Sequence, residues 1–399
     1  MFVAVGLLAL AIRLLALGIM LPRMKPDIDL DSYRSLGQNL AAGNGFVAPA
    51  TDGRTLPNIA RTPVYPLFLA ALIRLGADRL ALFLVGQCVL GAATCLLTGI
   101  LALRWLSRPA AVAASVLVAL DPNSIVRCVD LRAETLFTLL LIGGACLLVW
   151  QDKHWWSWTL AGLLWSLAAL CRPIAVWLWL VVAAVIFIRR LRLVYLLAFL
   201  AGYLPLEGIW AARNATLTGH AFISTISTYN LLMYRGAGVE TERTQKPFEV
   251  VQRQFLEKFG DVQFFEGRDG FEPRLGDYRH EGSRILLSNL AITTKQVVLG
   301  WGKLLFGPGA HSIDNMLREP GGRSRWWPSV YALALIAVVA SSVLGVAKLG
   351  REAALLSAVG LYFVLLAAGP ESNSRFRAPI IPVLAVLAVA GVSGSGKQE

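Results

Sequence analysis

Pro26-Asp-Ile-Asp-Leu-Asp-Ser-Tyr-Arg-Ser-Leu-Gly-Gln-Asn-Leu-Ala-Ala-Gly-Asn-Gly-Phe46 lies just beyond the apolar run Phe2–Leu21. Reading the two together decides the fold. About 20 mostly apolar residues cross a bilayer, so Phe2–Leu21 is a span, and it reads as one that is retained, not as a cleaved signal peptide. Its single charge, Arg13, is expected to face other helices or to snorkel. The carboxylates Asp27, Asp29 and Asp31 then sit immediately outside the membrane. After them Tyr33, Leu36 and Leu40 share one face of a short helix, ended by Gly43-Asn-Gly. Asp is a preferred N-cap and suits the positive end of a helix, so one of the three is expected to be a cap. A helix advances about 100° per residue, so Asp29 and Asp31 cannot both face one substrate if both are helical. With Asp29 just before the helix and Asp31 within it, they can flank one cleft, and a catalytic role is expected for at least one.

The rest of the chain agrees with a membrane protein. Of 399 residues, 56% are hydrophobic and 16% charged, against about 45–50% and 25% in soluble domains. Mean hydropathy is +0.61. A soluble globular enzyme and a disordered chain are excluded. About ten spans are predicted: Phe2–Leu21, Leu80–Leu103, Ala110–Leu120, Leu136–Trp150, Trp156–Leu170, Ile174–Ile188, Leu191–Trp210, Ser329–Val346, Ala353–Ala368 and Ala378–Val392. Residues 1–210 form a transmembrane module that includes a first outer loop (22–79). Residues 211–328 are an outer-face segment with an amphipathic helix over Ser283–Phe306, and residues 329–399 hold the last spans. The five cysteines are odd in number and mostly inside apolar runs, so neither a disulfide framework nor a zinc pattern follows.

The formal charge is +12. In a membrane protein this is read first against topology and anionic lipid, with no nucleic-acid partner implied. A cytoplasmic N-terminus places Arg104, Arg108, Lys153, Arg189, Arg190, Arg192, Lys348, Arg351 and Lys397 inside, as the positive-inside rule favours. It also leaves Arg127, Arg132, Arg172, Arg375 and Arg377 outside. Arg127 and Arg132 read as ordinary loop arginines. The others need a reason to be there.

Arg61-Thr-Pro-Val-Tyr-Pro marks a rigid return toward the membrane, with Arg61 at headgroup depth, where a guanidinium suits a lipid phosphate. Farther on come Arg132-Ala-Glu-Thr-Leu-Phe137, Cys171-Arg-Pro173, Arg213-Asn214 with Ser224-Thr225, and Ser374-Arg-Phe-Arg-Ala-Pro379. In this order and spacing, over most of the chain, the sequence resembles the GT-C membrane glycosyltransferases. The branch is that of the protein O-mannosyltransferases and the lipid A aminoarabinose transferases (family 39-like). The resemblance implies an all-α polytopic fold with an outer-face active site. It also implies transfer of a sugar, with inversion, from a polyprenyl-phosphate donor to a lipid, glycan or protein acceptor. The family's first loop often carries an Asp-Glu pair. Counting back from Gly43 puts its Asp at Asp29 and puts Leu30 where the Glu would be. The resemblance therefore ranks Asp29 first as the base, Asp31 second and Asp27 third. It also matches Arg61 and Arg172 to phosphate-contacting positions, makes Glu134 a second active-site carboxylate, and puts Tyr33, Tyr65 and Asp27 at the substrate.

The chemistry is coherent. An attacking hydroxyl must lose a proton, which a carboxylate takes. The departing phosphate gains charge, which Arg61, Arg172, Arg375 and Arg377 can stabilise. The sequence requires no cofactor, though Glu134 with Asp29 or Asp31 could hold Mg²⁺ or Mn²⁺. Nucleotide sugars are cytoplasmic, so an outer site calls for a lipid-carried donor, and a bacterial inner membrane with a periplasmic site is expected. A flippase for a lipid-linked sugar is the alternative. It would usually show repeats and broken helices near the midplane, and no convincing repeat is evident. A non-catalytic membrane scaffold would have no need of the acidic cluster and the outer arginines together.

Overall fold

The computed structural model describes residues 1–24, 29–50, 53–76, 79–150, 154–267, 271–310 and 326–393. Asp27, Lys153, His311 and Lys397 lie outside the described residues. With no water to bond a lipid-exposed backbone, apolar runs become helices that satisfy their own N–H and C=O groups. The elements in chain order are α1 (Phe2–Met20), α2 (Tyr33–Ala42), β1 (Val47–Pro49), β2 (Thr55–Pro57), α3 (Val64–Arg74), α4 (Leu80–Ala102), α5 (Arg108–Leu120), α6 (Pro122–Cys128), α7 (Glu134–Trp150), α8 (Trp155–Ala169), α9 (Leu178–Arg189) and α10 (Leu193–Thr218). They continue as α11 (Ile226–Asn230), α12 (Ala237–Thr244), α13 (Phe248–Phe259), α14 (Phe271–Ser288), α15 (Leu290–Phe306), α16 (Trp327–Leu349), α17 (Ala354–Leu366) and α18 (Ile381–Val392).

Each of the ten predicted spans is largely helical, and the protein is a multi-pass membrane protein. By length and composition, however, five helices among the described residues reach across a bilayer, or six if α5 and α6, bent by 59°, count as one span. One of the five is the 40-residue stretch Trp327–Leu366, which was predicted as two spans and is divided into α16 and α17 by a 3₁₀ turn at Gly350–Ala353. The helix α7 has 17 residues, about 26 Å at 1.5 Å per residue, short of a hydrocarbon core about 30 Å thick. The predicted boundary at 210 falls inside α10, which runs on to Thr218.

Close approach of helices relies on missing side chains. A Cβ on Gly345 of α16 would lie 1.9 Å from the Leu387 carbonyl of α18, and one on Gly391 would lie 2.0 Å from that of Ser341. All five cysteines are buried free thiols.

The first loop and the segment after α10 form one body. The chain is not purely helical, because β1 and β2 pair antiparallel with Ala48 opposite Leu56. The hairpin continues into that segment through the Asn58–Phe264 bridge and the Ile59 N–H to Gln263 carbonyl bond of 3.0 Å. Ile59 is buried in the segment's own core with Leu232, Met233, Val239, Val262 and Tyr278.

Arg377 belongs to this framework. It is fully buried and donates from Nη1 to the carbonyls of Leu304 (2.8 Å), Leu305 (3.2 Å) and Gly307 (3.0 Å). Leu304 and Leu305 lie in the last turn of α15, whose carbonyls have no partner within the helix, and Gly307 is the residue that ends it. The structure thus places the expected phosphate ligand as a C-terminal cap instead. Tyr331, whose hydroxyl donates to Asp121, lies 3.3 Å from Nη2. Arg377→Met is expected to cost about 3 kcal/mol, read as a lowered melting temperature in detergent. A melt equal to wild type would show that the cap contributes nothing.

Candidate active site

Two consecutive left-handed residues shape the first loop. Asp31 has φ 67° and Ser32 φ 59°, a conformation that costs non-glycine residues about 1–3 kcal/mol each and clusters at functional sites. The kink separates the two acids. Asp29 stays before α2 and caps it, its Oδ1 accepting from Arg34 N–H (2.7 Å) and its Oδ2 from Ser35 N–H (3.0 Å) and the Ser35 hydroxyl. The helix ends on Gly43, φ +82°, the left-handed C-terminal position read from Gly43-Asn-Gly.

Asp31 is turned toward a group of arginines. Its Oδ1 accepts from Arg61 Nη2 at 2.8 Å, and its carbonyl accepts from Arg61 Nε at 3.1 Å. Its Oδ2 faces Arg132 Nε at 3.6 Å and Arg375 Nη2 at 3.8 Å. Both distances are too long for hydrogen bonds, so this oxygen has no committed donor among the described residues. The Asp31 side chain is 24% exposed.

Glu134, the first residue of α7, lies next to this group and is almost wholly buried, 1% exposed. Its Oε1 accepts from Arg375 Nε and lies 3.1 Å from Arg172 Nη1. Arg375 therefore bridges the two carboxylates. Arg172 is also held against the rings of Phe137 (5.8 Å) and Phe376 (5.7 Å). Asp130 pairs with Arg127 at 2.8 Å and lies 3.7 Å from Arg132. Burial pushes its carboxyl above the ordinary range, and the two arginines pull it back. Five arginines (61, 127, 132, 172, 375) thus meet three carboxylates (31, 130, 134), and the surplus is positive.

The motif residues around the cluster set its geometry. Asn58 Oδ1 accepts from the N–H groups of Ala60 (3.1 Å) and Arg61 (2.8 Å). Ser224 donates to the Ala60 carbonyl, and Thr225 to that of Val262 at 2.7 Å. Arg213 reaches the Asn58 carbonyl at 3.2 Å. Asn123 donates to the Ser374 carbonyl at 2.7 Å, fixing the turn that carries Arg375. Tyr33 lies under Arg61, 5.7 Å from guanidinium carbon to ring centre, and meets Tyr65 edge-on at 4.8 Å. Burial pushes the Tyr33 hydroxyl up to about 12, which keeps it a neutral support near neutral pH. Tyr65 donates to Gln87 at 3.2 Å, and Gln87 donates to the Asp130 carbonyl at 2.9 Å. Asn214, in a formal glycosylation sequon, is fully buried and donates to the Phe222 carbonyl at 2.8 Å.

Of the predicted residues, the structure gathers Asp31, Glu134, Arg61, Arg172 and Arg375, with Tyr33 and Tyr65 behind them. Asp29 borders the group as a cap, and Arg377 is spent on α15. Arg132, read from the sequence as an ordinary loop arginine, joins the group. Its signal was its place two residues before Glu134. Among the described residues no three His, Cys, Asp or Glu side chains come together as a ligand set, and the Arg375 guanidinium lies between Asp31 and Glu134.

The helical membrane frame that carries this cluster, built from the first loop, the start of α7 and the turn before the last helix, resembles in fold the GT-C membrane glycosyltransferases. The oligosaccharyltransferase AglB of Archaeoglobus fulgidus has a similar structure. In its complex with Zn and sulfate the TM-score is 0.53 at 15% identity, covering 98% of this chain and 48% of that one. In its complex with an inhibitory peptide and a dolichol-phosphate the values are 0.51, 14%, 96% and 50%. The chain therefore spans about half the length of these neighbours. ArnT from Cupriavidus metallidurans, at 13% identity and a TM-score of 0.43 over 98% of this chain and 76% of that one, is too loose a likeness to bear on the fold. No family model and no curated protein matches the sequence.

Proposed function

We propose that the chain transfers a sugar from a polyprenyl-phosphate donor to an acceptor hydroxyl on the outer face of the membrane, a bacterial inner membrane with the site facing the periplasm. The observation that carries this reading is the uncommitted Oδ2 of Asp31, which faces Arg132 and Arg375 at 3.6 and 3.8 Å. A base and a set of phosphate-stabilising cations are thus side by side. Asp31 takes the proton of the acceptor hydroxyl. The acceptor oxygen forms its bond to the anomeric carbon, inverting it. The bond to the phosphate oxygen breaks, and its electron pair leaves with the lipid phosphate. Arg61, Arg132 and Arg375 stabilise the growing charge, with Arg172 behind them on Glu134. Fixed cations of this kind contribute most where charge develops. The order of bases is revised, because both Asp29 oxygens already hold amide protons. The acceptor is a lipid, glycan or protein chosen by the outer segment, which packs against the first loop as specificity loops do on a rigid scaffold.

The test gives the purified full-length protein a polyprenyl-phosphate sugar and candidate acceptors. Sugar transfer is the expected result. Movement of the lipid across vesicles without transfer would favour a flippase and overturn the proposal. With the Arg375 cation between the two carboxylates, EDTA is expected to leave the rate within about twofold, while removal of a needed cation would cost several kcal/mol of barrier; loss of activity restored by Mg²⁺ or Mn²⁺ would refute this. Cysteine placed at Ser32 is expected to react with an impermeant maleimide in intact cells, whereas labelling only after permeabilisation would reverse the topology.

A further inference from the structure

We infer that an ordered water molecule binds inside the helix bundle beneath the charged cluster, hydrogen-bonded to Glu134, Arg127 and Arg13. This site does not depend on the proposed activity. Glu134 Oε2, Arg127 Nε and Arg13 Nε are buried and have no hydrogen-bond partner among the described residues. All three residues line one cavity, together with the hydroxyl-bearing Thr94, Ser124, Thr135 and Thr138. Each is at most 4% exposed. Leaving such groups bare is costly, and bare buried groups are rare in folded proteins.

The cavity volume is about 20 Å³, enough for a single water, which needs roughly 10–15 Å³ and two to four polar partners. The donor and acceptor pattern selects the ligand. Two guanidinium N–H groups offer protons, and one carboxylate oxygen needs one. Water accepts twice and donates twice, so it meets all three. An anion would satisfy the arginines and be repelled by Glu134, and a metal cation would do the reverse. The surrounding packing keeps the site open and local. A Cβ on Gly91 would lie 2.4 Å from Cys128 Sγ and 2.7 Å from Arg13 Nε, so only glycine lets Arg13 lie there. The rest of Arg13 is held by the carbonyls of Ala9 (3.1 Å), Ala119 (3.4 Å) and Val118 (3.4 Å). The water thus joins the charge inside the first span to the second oxygen of the site carboxylate.

The test is a structure of the full chain in lipid nanodiscs at a resolution that shows waters. The expected result is one density peak within hydrogen-bond distance of Glu134 Oε2 and at least one of the two Nε atoms. An empty cavity, or Glu134 Oε2 bonded to a protein donor, would overturn the inference, as would replacement of the peak by bromide in a soaked crystal. Thr138→Val serves as the shape control and should keep the peak. Thr138→Leu fills the space and should remove the peak and lower the melting temperature by at least a few degrees. A raised or unchanged melt with the cavity filled would show that the space prefers hydrocarbon, and the inference would fail.

Discussion

Asp31→Asn is expected to lower the transfer rate about 10³-fold, within the range that general-base catalysis contributes, with little change in the donor KM. The amide keeps the shape of the carboxylate, and its oxygen can still accept from Arg61, so the loop should hold its geometry. What disappears is the ability of the second oxygen to take a proton. Because only the step that moves the proton is affected, kcat carries the loss. Asp29→Asn is the contrasting case. Both Asp29 oxygens accept protons from the start of α2, and the amide keeps only one of the two acceptors, so this change should cost about 1 kcal/mol of stability and leave most of the rate. Rates and melting temperatures of the two variants, measured side by side, decide between them. An inactive Asp29→Asn of wild-type stability beside an active Asp31→Asn would restore the order drawn from the family pattern and remove Asp31 from the chemistry.

That family pattern could not separate the two acids because the difference is a backbone fact. Two left-handed residues in succession at Asp31 and Ser32 turn one carboxylate into the cluster and leave the other on the helix end; Asp tolerates positive φ, but nothing in the stretch marks Asp31 rather than Asp29 as the residue that adopts it. The apolar runs were legible because bilayer thickness imposes their length. Length alone does not fix the span count, because a 17-residue helix beside others in a bundle reads in sequence much like a complete span. Arg61, Arg172 and Arg375 were legible as arginines that the positive-inside trend disfavours. Arg377 had the same signal and a different use, since the three carbonyls that it caps lie some 70 residues earlier in the chain. Arg132 was passed over for the opposite reason. Its value comes from Asp31, about a hundred residues before it, and its place two residues before Glu134 marks the neighbourhood but not that pairing.

Arg375→Met is expected to reduce both activity and stability, and the two losses can be separated. Arg375 bonds to Glu134 and faces Asp31 at 3.8 Å, so in the proposed reaction its removal takes a cation from the leaving phosphate. Loss of a group that stabilises developing charge costs about 10²–10³ in kcat. It also deprives Glu134, 1% exposed, of one of its two cationic partners, leaving Arg172 at 3.1 Å. Removing one member of a buried ion pair costs about 3–5 kcal/mol, largely because the other charge stays behind. Arg375→Lys keeps the charge but cannot reach two carboxylates with one planar fork, so its melt and its rate should lie between those of Met and wild type. The decisive variant is the double change Arg375→Met with Glu134→Gln. Neutralising the stranded carboxylate should return most of the melting temperature and none of the rate. If the rate returned with the melt, Arg375 would act only by keeping Glu134 folded in place, and the phosphate's charge would have to be met by Arg61, Arg132 and Arg172 alone.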